Sequence, residues 1–495
     1  MNDSHSRHGP SPRRLAVIGG GITGLAAAHR LTELEAAATV TLFEAGGRAG
    51  GILRTEEHDG YLLEHSADSF ISSADWAVDL CRRIGFADQL MPTNAAWRRA
   101  FIVRDGRLHA VPDGFSLLAA SRLWPLLTTR LLSLAGKLRL VLEPFVPVRQ
   151  SQSDESLAAF ARRRLGREAF ERLVQPLVAG IYTADAEQLS MAAALPRFVE
   201  MERRHGSLLR GARLAAAGYD GGRGTPGEDN GDAGARYGLF LAPRRGMESL
   251  VEALAGRLPS GTIETGSEVE AIERREGGGW LVRLAGRLEP RQFDGLVIAL
   301  PAHSAAGLLS AVDASLAGDL DSIPHAGSIV ALAGYDRSDI AHPLDGFGFV
   351  VPEIEGRRIL AASFASVKFA QRAPQGKVLL RVFLGGAQRP EMIELDDGEV
   401  RRVVVEELAE LLGARGGPEL FRVCRWRGSM PQYHLGHLEV VARIESRAGA
   451  LSQLELAGNA YYGVGVPHCI HSGEQAAQRL VAEGIGGRGE GGKGG

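Results

Sequence analysis

The sequence predicts a mixed α/β protein whose parallel-sheet domain is discontinuous, and three observations carry that expectation. An apolar run from Leu15 to Ile18 opens into the turn Gly19-Gly20-Gly21-Ile22-Thr23-Gly24 and then a helical pattern from Leu25 to Leu34. A second apolar run, Val40 to Phe43, ends in Glu44, 25 residues after Gly19. Near the other end of the chain, strand, glycine turn and helix recur over Leu454–Asn459, Gly463–Pro467 and Ile470–Ala482.

Each piece has a physical reason. Gly19 permits the tight turn, Gly21 lets a pyrophosphate approach the backbone, and Gly24 allows helix to pack closely on strand. The helix that follows offers free N–H groups and the positive end of its dipole to phosphate. Glu44 stands near the spacing of about 20 at which a carboxylate accepts from ribose hydroxyls. With 64 glycines in the chain, the spacing alone would be weak evidence. In the order strand, turn, helix, strand and acid it indicates a bound dinucleotide. The distant Gly463–Pro467 turn offers further N–H groups to the cofactor's other end, so the dinucleotide is expected to be gripped at both ends.

At 495 residues the chain has room for two or three domains. Its net charge of −3 gives no electrostatic case for nucleic acid as a partner. Cys81, Cys424 and Cys469 are widely separated, so neither a disulfide framework nor a zinc site is indicated, and a reducing cytosol fits. Residues 1–12 read as a disordered polar tail without the apolar core of a signal peptide. No uncharged apolar run of spanning length occurs. The stretch Phe115–Val148, rich in Leu and Trp yet carrying Arg122, Arg130, Lys137 and Arg139, has two readings. It lies on a membrane surface, or it forms a pair of buried core helices with a basic outer face.

Between the nucleotide-binding pieces, Asp154–Val178 and Glu399–Leu412 read as helices. Strand-length runs at Val330–Tyr335, Phe347–Pro352, Ile359–Phe364 and Val378–Phe383 read as an antiparallel sheet, the floor of a substrate pocket. A helix starting at Gly246 and strands at 262–265, 268–272, 280–284 and 295–301 return the chain to the nucleotide domain. The Gly- and Asp-rich stretch 215–237 and the tail from Gly484 lack the apolar content to fold.

The motif Glu44-x-x-x-Arg48-x-Gly50-Gly51 behind the glycine turn resembles the flavoprotein superfamily of amine oxidases, carotenoid desaturases and porphyrinogen oxidases. Further motifs resemble the oxygen-dependent protoporphyrinogen and coproporphyrinogen III oxidases. They are Gln175–Asp185 with Leu189-Ser190-Met191, Gly346–Phe349, Met430–Tyr433 with Gly436-His437, and Gly458–Ile470. The resemblance implies FAD as cofactor, a tetrapyrrole substrate, molecular oxygen as acceptor with hydrogen peroxide formed, and a place in haem synthesis. Localisation would be cytoplasmic, peripheral on the membrane.

It also implies an architecture. FAD-binding parts at 13–87, 238–302 and 436–483 would enclose a helical, membrane-associating domain at 88–213, a disordered insert at 214–237 and a substrate domain at 303–435, with a disordered tail at 484–495. Gly19, Gly20, Gly21, Ile22, Thr23 and Gly24 would hold the pyrophosphate, and Glu44 with Ala45 the adenosine ribose. Arg48, Gly51 and Ile52 would line the flavin side, and Ser66, Ala67, Asp68 and Ser69 would pass beside the ring. Val269 would meet adenine through its backbone, while Gly458, Asn459, Val464, Gly465 and Val466 would close over the flavin. No catalytic side chain or metal ligand is implied, because the cofactor carries the hard step.

For the substrate, Gly180 would offer a carbonyl to pyrrole N–H groups and Arg99 would pair with a carboxylate. Two departures bear on this transfer. Ala100 stands where plant and animal members carry an arginine, leaving Arg98 or Arg99, and His468 stands where many relatives have Asp. Alternating strand geometry allows at most one of the two arginines to serve. An amine oxidase of the same fold is the nearest rival, and there Ala331 occupies the apparent position of the usual lysine. An FAD-binding redox protein without turnover is the alternative of a different class.

Overall fold

The structure is a computed structural model and describes residues 12–151, 153–217 and 240–490. The first eleven residues of the expected N-terminal tail and most of the Gly-rich insert, 218–237, lie outside these. Strand β1 (Arg14–Ile18), helix α1 (Ile22–Leu34) and strand β2 (Thr39–Phe43) form the expected strand, turn, helix and strand. Their sheet has five strands, in the order Ile263–Glu264, β2, β1, Gly295–Ile298, Leu454–Leu456. Every pairing in it is parallel. Three separated stretches of chain therefore build one sheet, whose strands are apolar because helices cover it. A three-stranded antiparallel sheet, Val269–Arg274, Trp280–Leu284 and Arg291–Phe293, packs beside it around the buried Trp280.

The C-terminal helix Val466–Glu490 lies against α1. The two approach so closely that a Cβ on Gly473 would fall 2.2 Å from the Thr23 carbonyl oxygen. This crossing carries the Gly458–Val466 segment to the Gly19–Gly24 turn. The helix begins before the expected Ile470 and runs past Gly484, where an unstructured tail was expected.

The second large sheet has seven strands, in the order Leu420–Pro431, His325–Asp336, Lys377–Gly385, Ala361–Phe364, Gly348–Val350, Phe101–Arg104, Arg107–Ala110. It is antiparallel except where Gly348–Val350 runs parallel to Phe101–Arg104. Two of its strands thus come from the stretch expected to be helical. One face packs on the helix Asp397–Leu412 through Ile329, Ala331, Ala333 and Val403, and the other, through Val330 and Leu332, on Tyr61 and Leu63.

The helical part centres on Leu157–Leu165 and Gln175–Tyr182, joined through Arg167–Ala169 and a π turn at Phe170–Val174. The single helix expected over 154–178 is broken at Gly166, whose φ of +91° no helix accepts. Arg164 is fully buried and donates to the carbonyls of Val146 and Gly206 at 2.9 Å and to the carboxylate of Glu143. The 115–148 stretch contains a two-residue strand pair, Phe115–Ser116 with Ala119–Ala120, and short helices at Trp124–Thr128, Leu134–Val141 and Glu143–Phe145. Leu126, Leu131, Leu132 and Leu140 point into the core, whereas Trp124, Leu134, Leu138 and Phe145 are 74, 84, 62 and 78% exposed. Its apolar residues therefore do not all bury, as a pair of core helices requires. Among the described residues no helix is long and apolar enough to cross a membrane.

Candidate cofactor site

The glycine turn sits at the C-terminal ends of β1 and β2, where ligands of open α/β sheets bind. Its glycines differ in what they are needed for. A Cβ on Gly19, at φ +105°, would fall 2.5 Å from the Ala299 carbonyl oxygen, and one on Gly24 1.9 Å from that of Gly19. These two are demanded by the protein itself. Gly21 is different: no protein atom lies within 4 Å of where its Cβ would stand. A concavity that a methyl would fill, at a helix N-terminus with free N–H groups, is what a pyrophosphate needs, so the turn fits a dinucleotide. Ile22 and Thr23 bury in the helix packing.

Glu44 leaves β2 with its carboxylate turned back to the turn. Its Oε2 accepts from the Gly20 N–H at 2.8 Å and its Oε1 from the Gly46 N–H at 2.7 Å. These bonds fix the side chain, and each carboxylate oxygen keeps a further lone pair with which to accept a hydroxyl. Ala45 follows it on the surface. The neighbouring chain closes in as Ser267 N–H donates to the Glu44 carbonyl at 2.9 Å, which brings the strand starting at Val269 beside this end. Arg48 acts as a staple: it donates to the carbonyls of Ala49, Leu53 and Gly51 at 3.0, 3.1 and 2.9 Å and meets Glu248 at 3.3 Å. It thereby shapes the loop that sets Gly51, at φ +57°, against Gly21.

From Gly51 the path continues through Ile52, 44% exposed, whose carbonyl accepts from Ser66 Oγ at 2.6 Å. Ala67 packs toward the nucleotide-domain core. Asp68 is buried, with Lys368 Nζ at 3.0 Å and Arg381 at 2.8 Å, and Ser69 Oγ donates to it at 2.7 Å. Burial alone would raise its carboxyl, but the Lys368 and Arg381 charges outweigh that and hold it well below the usual range. Glu64, four residues earlier at the end of the strand Tyr61–Glu64, has no such direct cation; burial pushes it up to about 7 although Met247 N–H and Thr55 donate to it. Lys368 and Arg381 come from elements some 300 residues away, and nothing local in the sequence marked them.

The 458–466 segment is tied to the C-terminal helix and to Tyr433, just past the strand Leu420–Pro431. Gly458 N–H donates to Ser472 Oγ at 3.0 Å, Tyr433 OH donates to the Asn459 carbonyl at 2.6 Å, and Gly463 N–H donates to Tyr433 OH at 2.7 Å. Val464 packs against the helical core, while Gly465 precedes and Val466 opens the long helix. His468 packs under Gly463, whose Cβ would meet its ring at 2.4 Å, and stands edge-on to Trp76.

Gly180 is exposed on its helix, with Val350 3.4 Å from where its Cβ would stand. Arg99 is held by Asp345, to whose carbonyl its Nε donates at 2.5 Å and with whose carboxylate it pairs. Arg98 is half-buried, and its Nε has no partner among the described residues. Of the two arginines before the Phe101–Arg104 strand, Arg98 is therefore the one with a donor to spare. Ala331 is buried on the sheet face away from Tyr61; the face toward the 61–69 segment is Val330 and Leu332. The strand His325–Asp336 carries no lysine on either face.

Comparison with known proteins agrees with this geometry. The family model for flavin containing amine oxidoreductase matches residues 22–481. The coproporphyrinogen III oxidase of Bacillus subtilis is 31% identical over 94% of this chain and 97% of its own length. The mitochondrial protoporphyrinogen oxidase of Nicotiana tabacum is 27% identical, over 97% of this chain and 96% of its own. A crystal structure of a candidate protoporphyrinogen oxidase from Exiguobacterium sp. 255-15 has a TM-score of 0.84 at 29% identity, covering 96% of this chain and all of that one. A match of this extent makes the chain a member of the flavin-containing amine oxidoreductase family, in its porphyrinogen oxidase branch, with FAD as cofactor.

Proposed function

We propose that this protein oxidises a porphyrinogen, coproporphyrinogen III or protoporphyrinogen IX, to the porphyrin in haem synthesis, with molecular oxygen as terminal acceptor and hydrogen peroxide as product. One observation carries the reading: nearly the whole chain aligns with a coproporphyrinogen III oxidase at 31% identity. FAD, when bound, supplies the acceptance of hydride from the macrocycle. The protein's part is to bind, orient and exclude water. Gly19 to Gly24 hold the pyrophosphate, Glu44 the ribose, and the backbone near Val269 the adenine. The 51–52 and 66–69 segments and Asn459 to Val466 enclose the flavin end. On the substrate side, the Gly180 carbonyl accepts from pyrrole N–H, and Arg98 or Arg99 meets a propionate.

The absence of lysine from the His325–Asp336 strand favours a porphyrinogen over an amine. The exposed Trp124, Leu134, Leu138 and Phe145 beside Arg122, Arg130 and Lys137 favour peripheral contact with an anionic membrane. Incubating the FAD-loaded protein in air with each porphyrinogen, and following porphyrin fluorescence together with peroxide, tests the reading. Porphyrin forming well above autoxidation with one substrate is expected, and the ratio of rates identifies which. No acceleration with either would overturn the assignment.

A further inference from the structure

Two oxygen atoms at the junction of the helical part, the large sheet and the cofactor clasp are buried without a hydrogen-bond partner among the described residues. Gln432 follows the strand Leu420–Pro431 and is 3% exposed. Its Nε2 donates to the carbonyls of Met430 at 3.1 Å and Tyr182 at 3.5 Å. Two carbonyl oxygens must face the nitrogen, so the amide cannot be turned round, and Oε1 is the atom left over. Next to Tyr182, the Oγ1 of Thr183 is likewise buried and unpartnered.

Thr183 is also strained, with φ +48° and ψ +30°, a region that β-branched residues avoid. Its surroundings impose the conformation. Its N–H donates to the Ala179 carbonyl at 2.9 Å, its own carbonyl accepts from Ala387 N–H at 2.8 Å, and Gly386 packs so closely that a Cβ there would meet that carbonyl oxygen at 3.0 Å. Strain held in this way, with a polar atom left unsatisfied, marks a position that serves a ligand. The Gln432 amide reaches the 182–183 turn through the Tyr182 carbonyl, and the next residue, Tyr433, has its hydroxyl bonded to both Asn459 and Gly463.

A buried acceptor without a donor is costly unless a ligand brings an N–H or O–H to it. A porphyrinogen carries an N–H on every pyrrole ring. Building on the porphyrinogen reading, we propose that Gln432 Oε1 and Thr183 Oγ1 form an acceptor pair for pyrrole N–H groups, setting the tilt of the macrocycle toward the flavin. Both are positioning residues by this account, acting on substrate orientation and taking no proton.

Steady-state kinetics of Thr183→Val, Thr183→Ser and Gln432→Met, with Tm and bound FAD measured in parallel, test the pair. Thr183→Val keeps the shape and loses the hydroxyl, and Thr183→Ser keeps the hydroxyl. KM for the porphyrinogen is expected to rise about tenfold in Thr183→Val and in Gln432→Met, with kcat within about threefold and Thr183→Ser near wild type. Tm and FAD content stay at wild-type values. Unchanged KM in both variants, or a parallel fall in Tm and FAD content, would overturn the proposal. Titration of the porphyrin itself, followed by its fluorescence, repeats the comparison without turnover. Weaker binding in both variants supports the pair even if wild type turns over neither porphyrinogen; equal affinity, or no binding by any protein, refutes it.

Discussion

Gly21 and Gly24 of the turn should fail in opposite ways when replaced by alanine. Gly21 has an extended backbone, φ −67° and ψ 176°, that alanine adopts freely, and its added methyl would meet no protein atom within 4 Å. The fold then loses only the N-cap preference of glycine over alanine, about 0.5–1 kcal/mol, or a few degrees in Tm. FAD binding is another matter. A methyl in the cradle pushes the pyrophosphate off the N–H groups of the turn, and losing two charge-assisted hydrogen bonds of about 1.5–3 kcal/mol each weakens FAD by roughly a hundredfold to ten-thousandfold. In Gly24→Ala the same methyl would lie 1.9 Å from the Gly19 carbonyl oxygen, so helix and strand must separate. That overpacking should cost upward of about 1–3 kcal/mol in the apoprotein itself. Flavin fluorescence titration of apoprotein, with thermal melts at rising FAD, reads both. Gly21→Ala should melt near wild type without FAD and lose the FAD-dependent rise in Tm. If Gly21→Ala binds FAD within about threefold of wild type, the pyrophosphate does not sit in this cradle and the reasoning fails.

The buried carboxylates give predictions of opposite sign. Because burial raises Glu64 to about 7, its ionisation opposes folding, so its contribution to stability is full below about pH 4.5 and falls as pH rises to about 7. Relative to Glu64→Gln, wild type should lose about 2.5 kcal/mol between pH 5 and pH 8 in denaturant melts, and a constant gap would contradict the assignment. Asp68, depressed by Lys368 and Arg381, stabilises above the ordinary carboxylate range and loses that contribution as pH falls below about 4. Asp68→Asn leaves both cations buried together, at a cost of about 3–5 kcal/mol at pH 7 that should shrink in acid. Replacing Leu134, Leu138 and Phe145 by Asp should abolish sedimentation with anionic vesicles while leaving stability within about 0.5 kcal/mol per site, since all three are mostly exposed. Undiminished binding would remove the membrane reading.

What could be read in the sequence was what is local in it. The strand, glycine turn and helix at 15–34 need only neighbouring residues, and so does Glu44, whose carboxylate bonds Gly20 and Gly46. The strand Leu420–Pro431 was not visible, because Arg422, Arg425 and Arg427 at a sheet edge give it the look of a solvated loop. The run Arg162-Arg163-Arg164 looks like a helix surface, yet Arg164 is wholly buried with Glu143 and Glu202. Only tertiary structure supplies those partners.

Register is the sharpest case. On the strand His325–Asp336 sequence similarity picks out Ala331 as the position to compare with an amine oxidase lysine. Side chains alternate along a strand, so one residue of register decides between two faces. Ala331 packs with Val400 and Val403 on the face away from the 61–69 segment, while Val330 and Leu332 pack with Tyr61 and Leu63. Leu332 in turn pairs with Arg381, which reaches the Ser66 carbonyl and Asp68. The conclusion that no lysine stands on this strand survives the change of face, because neither face has one. What the register adds is the neighbourhood of the facing residue: Leu332 pairs with Arg381 on one side and Arg422 on the other, and since Arg381 is committed to Asp68 and Arg422 to Glu56, neither cation stands free in the lysine's place.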